Sequence, residues 1–348
     1  MIGHRCLQRA YVPSLVPEQH PKKWLNSSPL LSSGMMLAWV TAQDGIGIHL
    51  NEGEPLDNRI DAAKEGDRRA LARLLTSIEN GELRFSEPQS DGSDWKILAL
   101  TGPPGVGKSC LLDRMLHEWV DHGLRIAVLA VDPSSPRSGG ALLGDRVRMS
   151  VVDDDIKKKS VYLRSVATRK TSGSVPLVVR DMAFCLLQVG WDKVIIETVG
   201  AGQSEVRCAA VADRIVLVEG PARGDGVQAE KAGLLELADA VIVNKSDLDG
   251  AQRHANELRE SLHLGHEDAP NVHLVSALYG DGVAEASSML LTLEQSMRAG
   301  RARWRERLLS HHERRLLEHP EFDSLLTKIE EGFMSFEDAY AQLRYGNE

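Results

Sequence analysis

Residues 102–109 read Gly-Pro-Pro-Gly-Val-Gly-Lys-Ser, and the apolar run from Ile97 to Thr101 leads into them. A strand that ends in a glycine-rich turn and passes into a helix points consecutive backbone N–H groups at one spot, where the helix dipole also favours negative charge. In this spacing Gly102, Gly105 and Gly107 allow backbone angles and close approaches that a Cβ would block. Lys108 is then expected to reach terminal phosphates, and the Ser109 hydroxyl can ligate Mg²⁺. Pro104, Val106 and Cys110 complete the stretch expected to touch a nucleotide. A glycine-rich turn with an exposed lysine is the plain alternative. The strand context and the closing Lys-Ser pair favour a nucleoside triphosphate site.

From Lys96 to about Leu293, short apolar runs alternate with helical segments, the pattern of a parallel sheet flanked by helices. The runs are KILALTG, RIAVLAVDP, SVYLRSVA, KVIIETVG, RIVLVEGP, AVIVNKSD and NVHLVSAL, enough for a doubly wound sheet whose ligands sit beyond the carboxyl ends of the strands. The expected fold is therefore α/β, a P-loop domain with a mostly parallel sheet and helical extensions at both ends.

Asn244-Lys245-Ser246-Asp247 closes the sixth run. The Asp247 carboxylate can accept both hydrogen bonds offered by guanine N1–H and the 2-amino group, which adenine does not offer in that geometry. Ser276-Ala277-Leu278 closes the seventh run, and its Ala277 N–H is expected to face guanine O6. These features select GTP and GDP. Three carboxylates at or just beyond strand ends, Asp132, Asp145 and Glu197, are candidates to join Ser109 around Mg²⁺, directly or through water. Gly200 is placed to draw its N–H to a γ-phosphate. Ala201 stands where small GTPases carry a water-orienting glutamine, and Gln203 follows two residues later, so slow intrinsic hydrolysis is expected. Lys108, Glu197, Gly200 and Gln203 form the candidate catalytic set.

GPPGVGKS, VDPSSPRSGGALLGDR, ETVGAGQSE, GDGVQAEKAGLLELAD and NKSD together resemble the G-protein chaperones of cobalamin-dependent acyl-CoA mutases, from about Arg59 to the C-terminus. The resemblance implies a homodimeric GTPase, slow alone and stimulated by its partner. Such a protein docks on a mutase, gates adenosylcobalamin loading and protects or reactivates the holoenzyme, the mutase itself holding the cobalamin. It also implies Mg²⁺ and switch roles for Asp132, Asp145 and Glu197. Gly220 to Lys231 resembles the family's extra switch loop, with Asp225 and Lys231 as coupling residues. Residues 219–223 are bulkier than the usual glycine-rich version, and Gly226-Val227 replaces the more usual Glu-Leu. The partner is then a mutase for methylmalonyl-CoA, or one for isobutyryl, ethylmalonyl or 2-hydroxyisobutyryl-CoA. A GTP-regulated metallochaperone of the nickel-insertion type is the alternative, although no CxxC or clustered histidine accompanies the switch segments.

The 348 residues carry 41 Lys and Arg against 50 Asp and Glu, a net charge of -9 that argues against a nucleic-acid surface. No apolar run approaches a membrane span. Cys6, Cys110, Cys185 and Cys208 lie far apart and read as reduced thiols. Residues 1–55 are expected to be a poorly ordered leader. Within it the basic, acid-poor stretch 1–34 is expected to be an artefact of a mistaken start ahead of Met35 and Met36, which places the chain in the cytoplasm. A transit peptide to the mitochondrial matrix is the alternative. A helical extension is expected over 56–92, with one helix from Arg59 ending at Gly81 and a stripe of Ile60, Ala63, Ala70, Leu71, Leu74 and Leu75. The GTPase domain spans 93–298. A charged C-terminal dimerisation arm covers 299–348, with Trp304, Leu308, Leu309, Leu316 and Leu317 as its stripe and Pro320 between two helices. His311 and His312 are expected at the surface.

Overall fold

The computed structural model describes residues 46–48, 56–88, 94–132, 149–167, 178–198, 207–221, 228–263, 269–296 and 300–345. A short strand β1 (Ile46–Ile48) pairs antiparallel with β2 (Leu83–Phe85), and between them lie helices α1 (Leu56–Lys64) and α2 (Arg68–Glu79). The expected single helix is thus two. Gly66 adopts φ 98°, and the Asp67 carboxylate caps the second helix by accepting from Arg69 N and Ala70 N at 2.7 and 3.2 Å. The predicted stripe is buried all the same, from Ile60 to Leu75, because both helices lay it on the same core.

The main sheet follows as β3 (Ile97–Thr101), α3 (Lys108–Asp121), β4 (Ile126–Asp132), β5 (Val161–Ala167), α4 (Val178–Gln188), β6 (Lys193–Thr198) and β7 (Arg214–Glu219). It continues with α5 (Gln228–Leu237), β8 (Ala240–Val243), α6 (Ala251–His263), β9 (Asn271–Leu274) and α7 (Val283–Leu291). The seven predicted runs form one seven-stranded sheet in the order β5-β4-β6-β3-β7-β8-β9, every pairing parallel. Central strands are apolar on both faces because helices cover both. In β3, Ile97 and Ala99 face the core made with α1, α2 and α4, whereas Leu98 and Leu100 face the core made with α3 and α7. Leu217, Val241 and Val243 build a third cluster with Leu234 of α5 and Leu258 and Leu262 of α6.

Beyond the sheet come α8 (Gly300–Leu317), α9 (Phe322–Glu330) and α10 (Phe336–Tyr345), so Pro320 is followed by two helices rather than one, the second break lying at Gly332 with φ 75°. The packing of α8 inverts the usual rule. It buries Arg303 and Ser310, while Trp304, Leu308, Leu309 and Leu317 are exposed. Arg303 donates to Asp213 O at 2.7 Å and Leu237 O at 3.0 Å and pairs with the buried Asp239 carboxylate. Arg314 grips both oxygens of Asp181, at 3.3 and 2.6 Å, and Glu313 pairs with Arg207. His311 and His312 are exposed. Among the described residues no helix is long and apolar enough to cross a membrane.

Candidate functional site

The carboxyl ends of β3, β6, β7, β8 and β9 share one edge of the sheet, and the polar motifs gather there. The turn after β3 is held against β7: Gly102 has φ 142°, and a Cβ on it would lie 2.0 Å from Val218 O. Lys108 opens α3 and is 7% exposed; its Nζ lies over the turn and donates to Gly102 O at 2.6 Å and Pro103 O at 3.0 Å. One residue later, Ser109 Oγ donates to Glu197 Oε1 of β6 at 2.5 Å. Thr198 Oγ1 donates to Thr101 Oγ1 at 2.9 Å beneath them, fixing β3 and β6 at the same level.

The second half of the site is built by Asn244 and its neighbours. Asn244 is 1% exposed and spends its amide on both sides, Nδ2 donating to Val106 O at 2.9 Å and Oδ1 accepting from Ala277 N at 3.0 Å. Gly107 must lack a side chain here: its φ is 91°, and a Cβ would stand 2.6 Å from Asn244 Nδ2. Lys245, at φ 63°, donates from Nζ to Gly105 O at 2.7 Å. Asp247 Oδ1 accepts from Ser276 Oγ at 2.5 Å. The expectation that the Ala277 N–H stands open for guanine O6 is modified: it is already engaged by Asn244, so O6 would have to share or displace that bond. Leu278 is 63% exposed at the rim.

The structure therefore brings together Gly102, Pro104, Gly105, Val106, Gly107, Lys108, Ser109, Cys110, Glu197, Asn244, Lys245, Asp247, Ser276, Ala277 and Leu278 along one sheet edge. Asp132 ends β4 at that edge. Asp145, Gly200, Gln203 and Asp225 lie outside the described residues, as do the leader before Ile46 and Cys6. Lys231 lies in α5. Two relationships had no signal in the motifs. One is the Asn244 bridge between the phosphate turn and the base loop; the other is Arg114, one helical turn after Cys110, which donates from Nε to Ala277 O and from Nη2 to Leu278 O.

An all-oxygen pair such as Ser109 and Glu197 suits Mg²⁺, which takes few protein ligands when phosphates and waters supply the others. Among the described residues no three His, Cys, Asp or Glu side chains converge as a metal cluster. Exposed Cys110 borders the site, whereas Cys185 and Cys208 are buried, and burial raises the Cys185 thiol far above its ordinary range.

A parallel sheet with a phosphate-cradling turn after its middle strand, and an Asn- and Asp-bearing loop two strands away, defines a P-loop GTPase. The family described as "Methylmalonyl Co-A mutase-associated GTPase MeaB" matches residues 72–331, and the chain belongs to it. A mouse protein named "Methylmalonic aciduria type A homolog, mitochondrial" is 31% identical over 335 residues, covering 84% of this chain and 80% of its own. A Mycobacterium tuberculosis protein named as a GTPase is 36% identical, covering 68% of this chain and 74% of its own. The "Fused isobutyryl-CoA mutase" of Cupriavidus metallidurans is 35% identical over 226 residues, 61% of this chain but 20% of that longer one. Among solved structures, an LAO/AO transport system kinase superposes with TM-score 0.54 at 22% identity, over 85% of this chain and 98% of its own, a likeness of fold alone.

Proposed function

We propose that this chain is a GTP-hydrolysing chaperone that docks on an adenosylcobalamin-dependent acyl-CoA mutase, gates cofactor loading, and protects or reactivates the mutase. The observation that carries the proposal is the Cupriavidus relative, in which a stretch similar to this chain is part of a protein named a fused isobutyryl-CoA mutase. Joining a GTPase covalently to a mutase holds the two at high effective concentration, an arrangement that is useful only where they act together.

The bonds at the phosphate turn and at Asp247 support the following nucleotide roles. The turn's N–H groups and Lys108 hold the β- and γ-phosphates, and Lys108 exchanges its bonds to Gly102 O and Pro103 O for phosphate oxygens. Asp247, oriented by Ser276, reads guanine. Ser109 and Glu197, with Asp132 and Asp145, hold Mg²⁺ directly or through water. Bound there, the ion supplies charge neutralisation on the β- and γ-oxygens. Gly200 and Gln203 act on the γ-phosphate and the attacking water, while Asp225 and Lys231 couple the site to the mutase.

The C-terminal helices serve as the arm of a homodimer. The exposed Trp304, Leu308, Leu309 and Leu317 support that role, since ion pairs already fasten the polar face of α8 to its own domain and leave the apolar residues outward. The test is single-turnover GTP hydrolysis with and without purified mutase, accompanied by sedimentation of the free protein. Equal rates would contradict the chaperone reading, and a monomer at micromolar concentration would contradict the dimer.

A further inference from the structure

The loop that follows β9 stands at the open edge of the sheet. β9 is the outermost strand and pairs only with β8, so the segment from Val275 to Gly282 has the sheet on one side alone. Its own turn is closed by Gly280 N donating to Ser276 O at 2.7 Å and Ser276 N donating to Asp281 O at 2.9 Å. Those bonds give the loop its shape. They do not set its distance from the phosphate turn.

That distance is set by the Asn244 bridge from Val106 O to Ala277 N and, from α3, by Arg114. Arg114 Nε donates to Ala277 O at 3.2 Å and Nη2 to Leu278 O at 3.1 Å, so one planar guanidinium spans two successive carbonyls. Cys110, one turn earlier on the same helix face, places Sγ 3.8 Å from Ala277 O. Ala277 is thereby gripped at both ends, its N–H by Asn244 and its C=O by Arg114. Among the described residues Arg114 has no carboxylate partner, and its guanidinium donates to these two carbonyls. The next helix is fastened independently, by Trp119 Nε1 donating to Ser287 O at 3.0 Å and Trp95 Nε1 to Leu290 O at 2.7 Å. Loss of Arg114 would therefore loosen the Ala277–Leu278 end of the loop without undocking α7.

We infer that Arg114 is a positioning residue for base recognition: from the helix whose first turn holds the phosphates, it fixes the Ser276–Leu278 loop where guanine is read. The phosphate turn and the Ser276–Leu278 loop are then tied through one helix, in parallel with the Asn244 bridge. The inference rests on the guanine reading of Asp247 and the loop. Arg114 itself touches no substrate group.

The test compares the full-length protein with Arg114→Ala and Arg114→Lys, using calorimetric titration with Mg²⁺ and three probes: GDP, ADP and inorganic tripolyphosphate. Arg114 is exposed, so both variants are expected to fold. Arg114→Ala is expected to weaken GDP by about tenfold, the order set by losing hydrogen bonds from a charged donor, and to leave tripolyphosphate unchanged. Arg114→Lys keeps the charge but not the fork, and is expected to fall between. GDP binding unaltered in Arg114→Ala would overturn the inference, and so would equal losses for GDP and tripolyphosphate, which mark a general charge effect. If the unaltered protein binds ADP as tightly as GDP, the guanine reading itself fails and the inference goes with it. A clear GDP preference that survives Arg114→Ala sinks the Arg114 role alone.

Discussion

Ser109 Oγ and Glu197 Oε1 stand 2.5 Å apart, joining the first turn of α3 to the end of β6. A hydroxyl at the start of α3 and a carboxylate at the end of the strand next to β3 are thus in contact range of one small cation. Ser109→Ala is expected to abolish most of the Mg²⁺-dependent part of GDP affinity, about tenfold or more, and to spare the metal-independent part. Titrations of GDP with Mg²⁺ and with a chelator measure the two parts. An unchanged ratio between them would remove Ser109 from the ion's ligands.

Asp247 presents a carboxylate whose Oδ1 is already held by Ser276. Asp247→Asn swaps an acceptor for a donor facing guanine, and is expected to cost about 1.5–3 kcal/mol of GTP binding while improving xanthosine triphosphate. Competition of both nucleotides against labelled GDP would show the reversal. Parallel weakening of the two would mean that Asp247 holds the loop together and does not read the base.

The Arg303–Asp239 pair is buried, and Asp239 also accepts from Ile215 N and Ser296 N, both at 2.7 Å. Arg303→Met leaves a buried carboxylate without its counter-charge, and the expected loss is about 3 kcal/mol, the low end of the range for broken buried pairs because two amides remain. Arg253–Glu257, with side chains 85% and 54% exposed, is the control, and Arg253→Ala is expected to cost less than about 1 kcal/mol. Urea unfolding of the two variants decides the ranking. Similar small losses would show that α8 is held by something other than its ion pairs.

The sheet was legible because each strand is a short apolar run ending in a turn or a motif, and a parallel sheet covered on both faces demands that pattern. The phosphate turn was legible because its glycines answer steric needs that the structure shows at Gly102 and Gly107. The break at Gly66 was hidden by a helical stripe that continues in phase across it. For α8 the apolar stripe was legible as an outward-facing arm, but the opposite face was not, because the partners that bury it, Asp239, Asp181 and Arg207, lie far away in sequence. The Asn244 bridge and the Arg114 contacts were illegible for the same reason, since both join residues more than a hundred positions apart. No local period reports such pairs.

Arg114, Asn244 and Ser109 all concern how the nucleotide is held; the central claim is that a mutase governs what happens to it. Rapid-mix single-turnover hydrolysis of GTP, by the full chain alone and with a saturating cobalamin-dependent acyl-CoA mutase from the same source, tests that claim most directly. The account predicts slow hydrolysis alone and an acceleration of at least about tenfold with the mutase, the outcome expected if the partner completes the transition-state stabilisation. A rate that is already fast without the mutase, or one that the mutase leaves unchanged, would contradict it.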